Sequence, residues 1–255
     1  MHLLIAGLLA LVGGIAFGIF GAGGSILLVP ILIYVLAVPI KSALGMSLLI
    51  LTLTGGFATA AHARSGNVKW PIGLQWAGLG MFGAYVGGRV AELIPANVLL
   101  IVFAAAVVVA ALAMIRRRTP SPHPEVAAMP IRKVLSVGLV LGFFTGMIGV
   151  GGGFLLVPAL VLLCGIDIKH AIGTSLLIIT INSFGGFLGF AAHETFDWHL
   201  TAVVAAFNAT GSVLGERLGK PLPGHRLRPA FGVFLLIVGA AMVVENLLAM
   251  LSRSH

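Results

Sequence analysis

The chain is short of nearly everything that faces water. Only 9% of its 255 residues are Asp, Glu, Lys or Arg, whereas a soluble domain carries about 25%. So few charges could not clothe a water-exposed surface, and residues 3–40 hold none at all. The single cysteine, Cys164, excludes an intrachain disulfide, and its apolar neighbours make it read as a small core hydrophobe. There is no G-x-S-x-G elbow and no phosphate-binding loop with its Lys-Ser/Thr, so the common signatures of acyl transfer and nucleotide hydrolysis are missing. In His193-Glu-Thr-Phe-Asp197, Asp197 stands where a zinc-protease helix needs its second histidine. No enzyme activity, metal or cofactor is expected. The short alternating strands of a membrane barrel are lacking too.

What remains is apolar. Hydrophobic residues make up 59% of the chain, and the mean hydropathy is +1.14. Uncharged runs of this length read as membrane-spanning helices, which must satisfy their own backbone groups in lipid. The fold class expected is therefore an all-α polytopic membrane protein. The net charge of +8 comes from Lys and Arg in the connections between apolar runs. That pattern is the positive-inside signature and gives no ground for a nucleic-acid partner. The first run has no basic flank and continues past residue 30, so no cleaved signal peptide is expected.

The sequence repeats itself at an offset of 128 residues. Gly18-Ile-Phe-Gly-Ala-Gly-Gly-Ser-Ile-Leu-Leu-Val-Pro30 matches Gly146-Met-Ile-Gly-Val-Gly-Gly-Gly-Phe-Leu-Leu-Val-Pro158. The same offset pairs Lys41 with Lys169, Ser47 with Ser175, Thr52 with Thr180, Trp70 with Trp198 and Arg89 with Arg217. A small local shift brings His62 onto His193. The chain thus divides into a first repeat (1–115), a cytoplasmic linker (116–133) rich in Pro and charge, and a second repeat (134–255).

Each repeat holds five apolar segments: 3–20, 26–38, 42–62, 71–91 and 97–115, then 134–149, 154–166, 170–192, 199–218 and 227–250. The second of each is short and follows a Gly-rich turn. Charge placement sets the topology. The loop after the third segment is basic in the first repeat (Arg64, Lys69) and acidic in the second (Glu194, Asp197). The next loop reverses this, with no base around 92–97 but Lys220, Arg226 and Arg228 in the second repeat. Opposite polarity in equivalent loops predicts two inverted repeats with 8–10 membrane segments, the Gly-separated pairs forming hairpins or broken helices. Eight crossings with parallel repeats is the rival arrangement.

The turns Gly21-Ala-Gly-Gly-Ser25 and Gly149-Val-Gly-Gly-Gly153 each precede a short apolar helix. Helix N-termini present unpaired N–H groups and partial positive charge, so two of them meeting near the midplane would bind an anion without a basic side chain. The plainer reading is that these glycines permit close packing. Ser47, Thr52, Thr54, Thr174, Ser175, Thr180, Asn182 and Ser183 stripe the third segments, and most of them read individually as packing residues. Asn182, Asn208 and Gln75 cost more to bury and are expected to line a cavity. His62, His193, Asn208, Arg89 and Arg217 are candidates for a gate or proton carrier, set against plain readings of interfacial histidines and snorkelling arginines.

These motifs resemble the TauE/SafE family, also called the sulfite exporter or TSUP family. The resemblance runs from about Gly14 to the last helix and rests on G-x-G-G-[SG]-x-L-[LV]-V-P and G-[MT]-S-L-L in each repeat. It implies a secondary transporter in the bacterial cytoplasmic membrane that carries sulfite, sulfoacetate or related small sulfur anions by alternating access. An anion channel and, further off, a membrane assembly factor are the alternatives. Carried over, the anion would sit near Gly23, Gly24, Ser25, Gly151, Gly152 and Gly153, with Ser47, Thr174, Ser175 and Asn182 close by. The first repeat reads Gly45-Met-Ser where the second reads Gly173-Thr-Ser, so only the second offers both hydroxyls. The implied partners are a small anion and the lipid bilayer. The number of copies in the assembly stays open between one and two.

Overall fold

A computed structural model describes residues 2–21, 23–116, 131–149 and 153–224, with further stretches between 226 and 237. Among the described residues there are nine α-helices, one π-helical segment and no strand. The helices are α1 (His2–Phe20), α2 (Gly23–Pro30), α3 (Ile40–Arg64), α4 (Trp70–Ala91), α5 (Ala96–Arg116), α6 (Ile131–Ile148), α7 (Gly153–Leu163), α8 (Ile168–Phe190) and α9 (Trp198–Gly219). Residues 117–130 of the expected linker, and most of the expected segment 227–250, lie outside the described residues.

Local chemistry sets the boundaries. Gly21 and Gly149 end α1 and α6 at φ +70° and +72°, a left-handed conformation that glycine adopts without a Cβ penalty. Pro30 closes α2 and feeds a wider π-helical turn, Ile31–Val35, where the Leu36 N–H reaches the Ile31 carbonyl. The Asp167 carboxylate accepts from the N–H groups of Lys169 and His170 and starts α8, and that of Asp197 accepts from Leu200 and starts α9.

The helices pack by glycine. α1 lies along α9 and α6 along α4, and the contact faces carry Gly14 and Gly18, Gly211 and Gly215, Gly142 and Gly146, and Gly83 and Gly87. A Cβ at Gly14 would strike the Asn208 carbonyl, and one at Gly142 would strike that of Gly80. Glycines four apart let backbones approach closely where lipid offers no other drive to associate.

Residues 128 apart make reciprocal contacts. Gly18 faces Ser212 while Gly146 faces Ala84, and Gly21 meets Ile172 while Gly149 meets Leu44. Lys41 Nζ donates to the Glu92 carbonyl, and Lys169 Nζ to that of Lys220. At the centre α3 and α8 run antiparallel: Gly45 faces Phe190 and Gly55 faces Thr180, while the Asn67 carbonyl, just beyond α3, meets Gly173. Both are long and apolar enough to cross a membrane, and 67% and 78% of their apolar windows are buried within the bundle. Elsewhere the outside is greasy. Leu8, Phe57, Phe82 and Val109 are each 60–64% exposed, far more bare apolar surface than a soluble protein presents.

The bundle therefore has two chemically different ends. One collects the ends of α1, α3 and α9 and the start of α8, with Arg64, Lys69, Lys169 and Lys220. The other collects the start of α3 and the ends of α4 and α8, with Lys41, Arg89, Glu92, Glu194 and Asp197.

Candidate functional site

The two glycine turns do not meet. Gly21 packs on Ile172 near the start of α8, and Gly149 on Leu44, whose neighbour Gly45 faces Phe190 at the end of α8. Ile172 and Phe190 are about 27 Å apart at 1.5 Å per residue. The expectation of two helix N-termini converging at the midplane is corrected accordingly. The reason is length: α1 is a full 19 residues, so its turn lands close to one end of the bundle rather than halfway along it. Gly23 and Gly24 open α2, Gly153 opens α7 and is buried, and Gly151 and Gly152 lie outside the described residues.

The turns are instead held by the long helices. Ser175 Oγ donates to the Gly21 carbonyl, and Ser47 Oγ donates to that of Gly149. Each serine also bonds back to the carbonyl three residues earlier in its own helix. Thr174 Oγ1 accepts the Lys69 N–H at 3.0 Å and ties the loop after α3 to α8. These hydroxyls serve the turns and the loop. Ser25 is fully buried beside its turn.

At the level where α3 and α8 cross their shared midpoint the chemistry is different. Thr54 and Asn182 occupy equivalent positions, 128 apart, and both are fully buried. Thr54 Oγ1, both polar atoms of Asn182 and Ser183 Oγ have no hydrogen-bond partner. Asn182 lies over Gly80 of α4, whose missing side chain makes room for the amide. Asn208 occupies the position equivalent to Gly80. Its Nδ2 donates to the Ala10 carbonyl at 3.0 Å, and its Oδ1 is unpartnered. A buried polar group without a partner costs about 1–3 kcal/mol, and such groups in a native fold call for an explanation. Thr54, Asn182 and Ser183 thus hold neutral polar groups with no hydrogen-bond partner in the buried middle of α3 and α8.

The remaining candidates separate to the ends. His62 Nε2–H donates to the Gly18 carbonyl at 3.0 Å. His193 sits in the turn after α8, beside the Arg89 guanidinium. The in-register counterpart of His62 is thus Phe190, and the local shift that paired the two histidines is not kept. Arg89, Arg217 and Gln75 are exposed. Trp76 escaped the sequence reading: it is fully buried with Nε1 unpartnered. An indole in mid-helix was the available signal. The Glu216 carboxylate accepts from Ser65 Oγ at 2.7 Å.

The family model described as sulfite exporter TauE/SafE matches residues 6–242 of the chain. The chain belongs to the sulfite exporter TauE/SafE family. A relative from Xylella fastidiosa strain Temecula1, called a probable membrane transporter protein, is 33% identical over 238 residues, covering 90% of each chain. The probable membrane transporter protein YdhB of Bacillus subtilis is 26% identical over 90% of this chain and 96% of its own. MJ0441 of Methanocaldococcus jannaschii, likewise called a probable membrane transporter protein, is 25% identical over 95% and 97%. No solved structure matches the chain. As a TauE/SafE member it is a membrane transport protein, and the buried polar layer is to be judged in that light.

Proposed function

We propose that the protein is a secondary transporter of small sulfur anions, sulfite or organosulfonates such as sulfoacetate, working by alternating access in the bacterial cytoplasmic membrane. The observation that carries this reading is the buried, uncharged and unpartnered polar atoms of Thr54, Asn182 and Ser183 inside a member of the sulfite exporter TauE/SafE family. Its two halves are inverted repeats that cross the bilayer many times. Support comes from the reciprocal contacts of residues 128 apart and from the antiparallel run of the equivalent helices α3 and α8. The end bearing Arg64, Lys69, Lys169 and Lys220 faces the cytoplasm by the positive-inside rule. Exposed Trp70 and Trp198 begin α4 and α9 at opposite ends, where aromatic belts sit.

The energetics favour export. Moving one negative charge out of an inside-negative cell gains about 2.3 kcal/mol per 100 mV. The test is flux of labelled sulfite and sulfoacetate from proteoliposomes, with sulfate, taurine and lactate as competitors. Saturable efflux that is stimulated by anion on the far side supports the reading. Flux no faster than in protein-free vesicles overturns it, and flux without trans-stimulation turns it toward a channel.

A further inference from the structure

At the basic end of the bundle a small cavity, about 20 Å³, is lined by Gly18, His62, Asn67, Lys169, Glu216 and Lys220 among others. That is room for about one water, so a larger anion enters only as this end opens. The cavity's chemistry belongs to one end. The offset of 128 places Phe190 opposite His62, Gly88 opposite Glu216, Thr195 opposite Asn67 and Glu92 opposite Lys220. At the far end Phe190 packs beside Gly88, an apolar copy of the contact that His62 and Glu216 occupy here. The halves have kept their packing and diverged in their ionisable groups.

The hydrogen bond of His62 restricts what its ring can do. A carbonyl only accepts, so the hydrogen of the neutral imidazole resides on Nε2, facing Gly18. Nδ1 is then a bare lone pair, and it is buried with no partner. A fully ionised anion has no hydrogen to offer such an atom and is repelled by it. Once Nδ1 takes a proton from water, the imidazolium offers a donor and a charge. The charged groups that share the cavity with this ring are Glu216 of α9, Lys220 at its C-terminal cap and Lys169 of α8. α1 contributes no ionisable side chain between residues 3 and 20. Glu216, 7% exposed, holds the one carboxylate among the cavity's lining residues.

We infer that His62 binds a proton together with the transported anion at this end of the protein, so that anion loading here is proton-linked. The inference rests on the transporter reading and deepens it.

The test is isothermal titration of sulfoacetate into the detergent-solubilised protein at pH 7, in two buffers of different ionisation enthalpy. The difference in heat counts protons taken up per anion. Sulfoacetate is fully ionised at this pH, so an added proton must come to the protein. The expected result is uptake of a substantial fraction of one proton in the wild type. It should be lost in His62→Gln, which keeps an N–H for the Gly18 carbonyl but cannot be protonated, and in His62→Phe, which copies the far end. Melting temperatures within a few degrees of wild type would show both variants folded. Binding without proton uptake, or uptake that persists in both variants, overturns the inference and leaves transport standing. Proton-linked binding with no flux in proteoliposomes supports the site and overturns the transporter reading. No binding of sulfoacetate or sulfite overturns both.

Discussion

Ser175 Oγ lies 3.3 Å from the carbonyl oxygen of Gly21 and donates to it, clamping the first repeat's turn onto the second repeat's long helix. Ser47 does the same for Gly149 in the opposite sense. The bundle thus carries one such clasp towards each end.

Removing a clasp should cost modestly and independently. Ser47→Ala and Ser175→Ala each delete a buried hydrogen bond worth about 1 kcal/mol. Ser47 on α3 faces α8 near residue 188, about 20 Å along that helix from Ser175, beyond the range over which mutations couple. The double variant should therefore lose the sum, read as the drop in melting temperature in detergent. Marked non-additivity would mean the two ends are mechanically linked.

Glycine substitutions should split into two classes. A Cβ at Gly18 or Gly146 would run into the backbone of the partner helix, and valine there should cost about 3 kcal/mol or more and cut folded yield. Gly56 and Gly78 lie in helices with nothing within 4 Å of a built Cβ. Alanine at either should be neutral or stabilise by up to about 1 kcal/mol. Thermal unfolding of the four variants checks both classes.

Asn182→Leu should trade function for stability. The substitution removes two unpartnered polar atoms from a fully buried position, and relief of their desolvation is worth about 1–3 kcal/mol. The expected outcome is an unchanged or raised melting temperature with at least about a tenfold fall in anion flux, roughly the loss of one good hydrogen bond. A variant that melts lower and still transports would make Asn182 a packing residue.

Opposite orientation of the repeats is open to cysteine labelling. In a Cys164→Ala background, Gly66→Cys after α3 and Glu194→Cys after α8 occupy equivalent turns, the first exposed and the second half-buried. In intact cells a membrane-impermeant maleimide should label position 194 and spare position 66 until the membrane is opened. Labelling of both from one side would favour parallel repeats.

Much of this architecture was legible in the chain itself. The scarcity of charge identifies the solvent as lipid, and uncharged runs bounded by Gly, Pro and Asp delimit the helices to within a few residues. Residues 128 apart occupy equivalent positions because duplicated sequences keep the packing their side chains dictate. Other features belong to the tertiary structure alone. Local sequence marks a turn but not the depth at which it lies, which depends on the length of α1 and on the helix it packs against, so the glycine turns separated instead of meeting. Whether a buried Asn or Thr finds a partner depends on which helix faces it, so Asn182 stands unpaired over Gly80 while Ser47 and Ser175 are spent on carbonyls. His62 took Phe190 rather than His193 as its counterpart for the same reason. Register between distant segments is set by side-chain volume at the helix contacts, and no single segment contains that information.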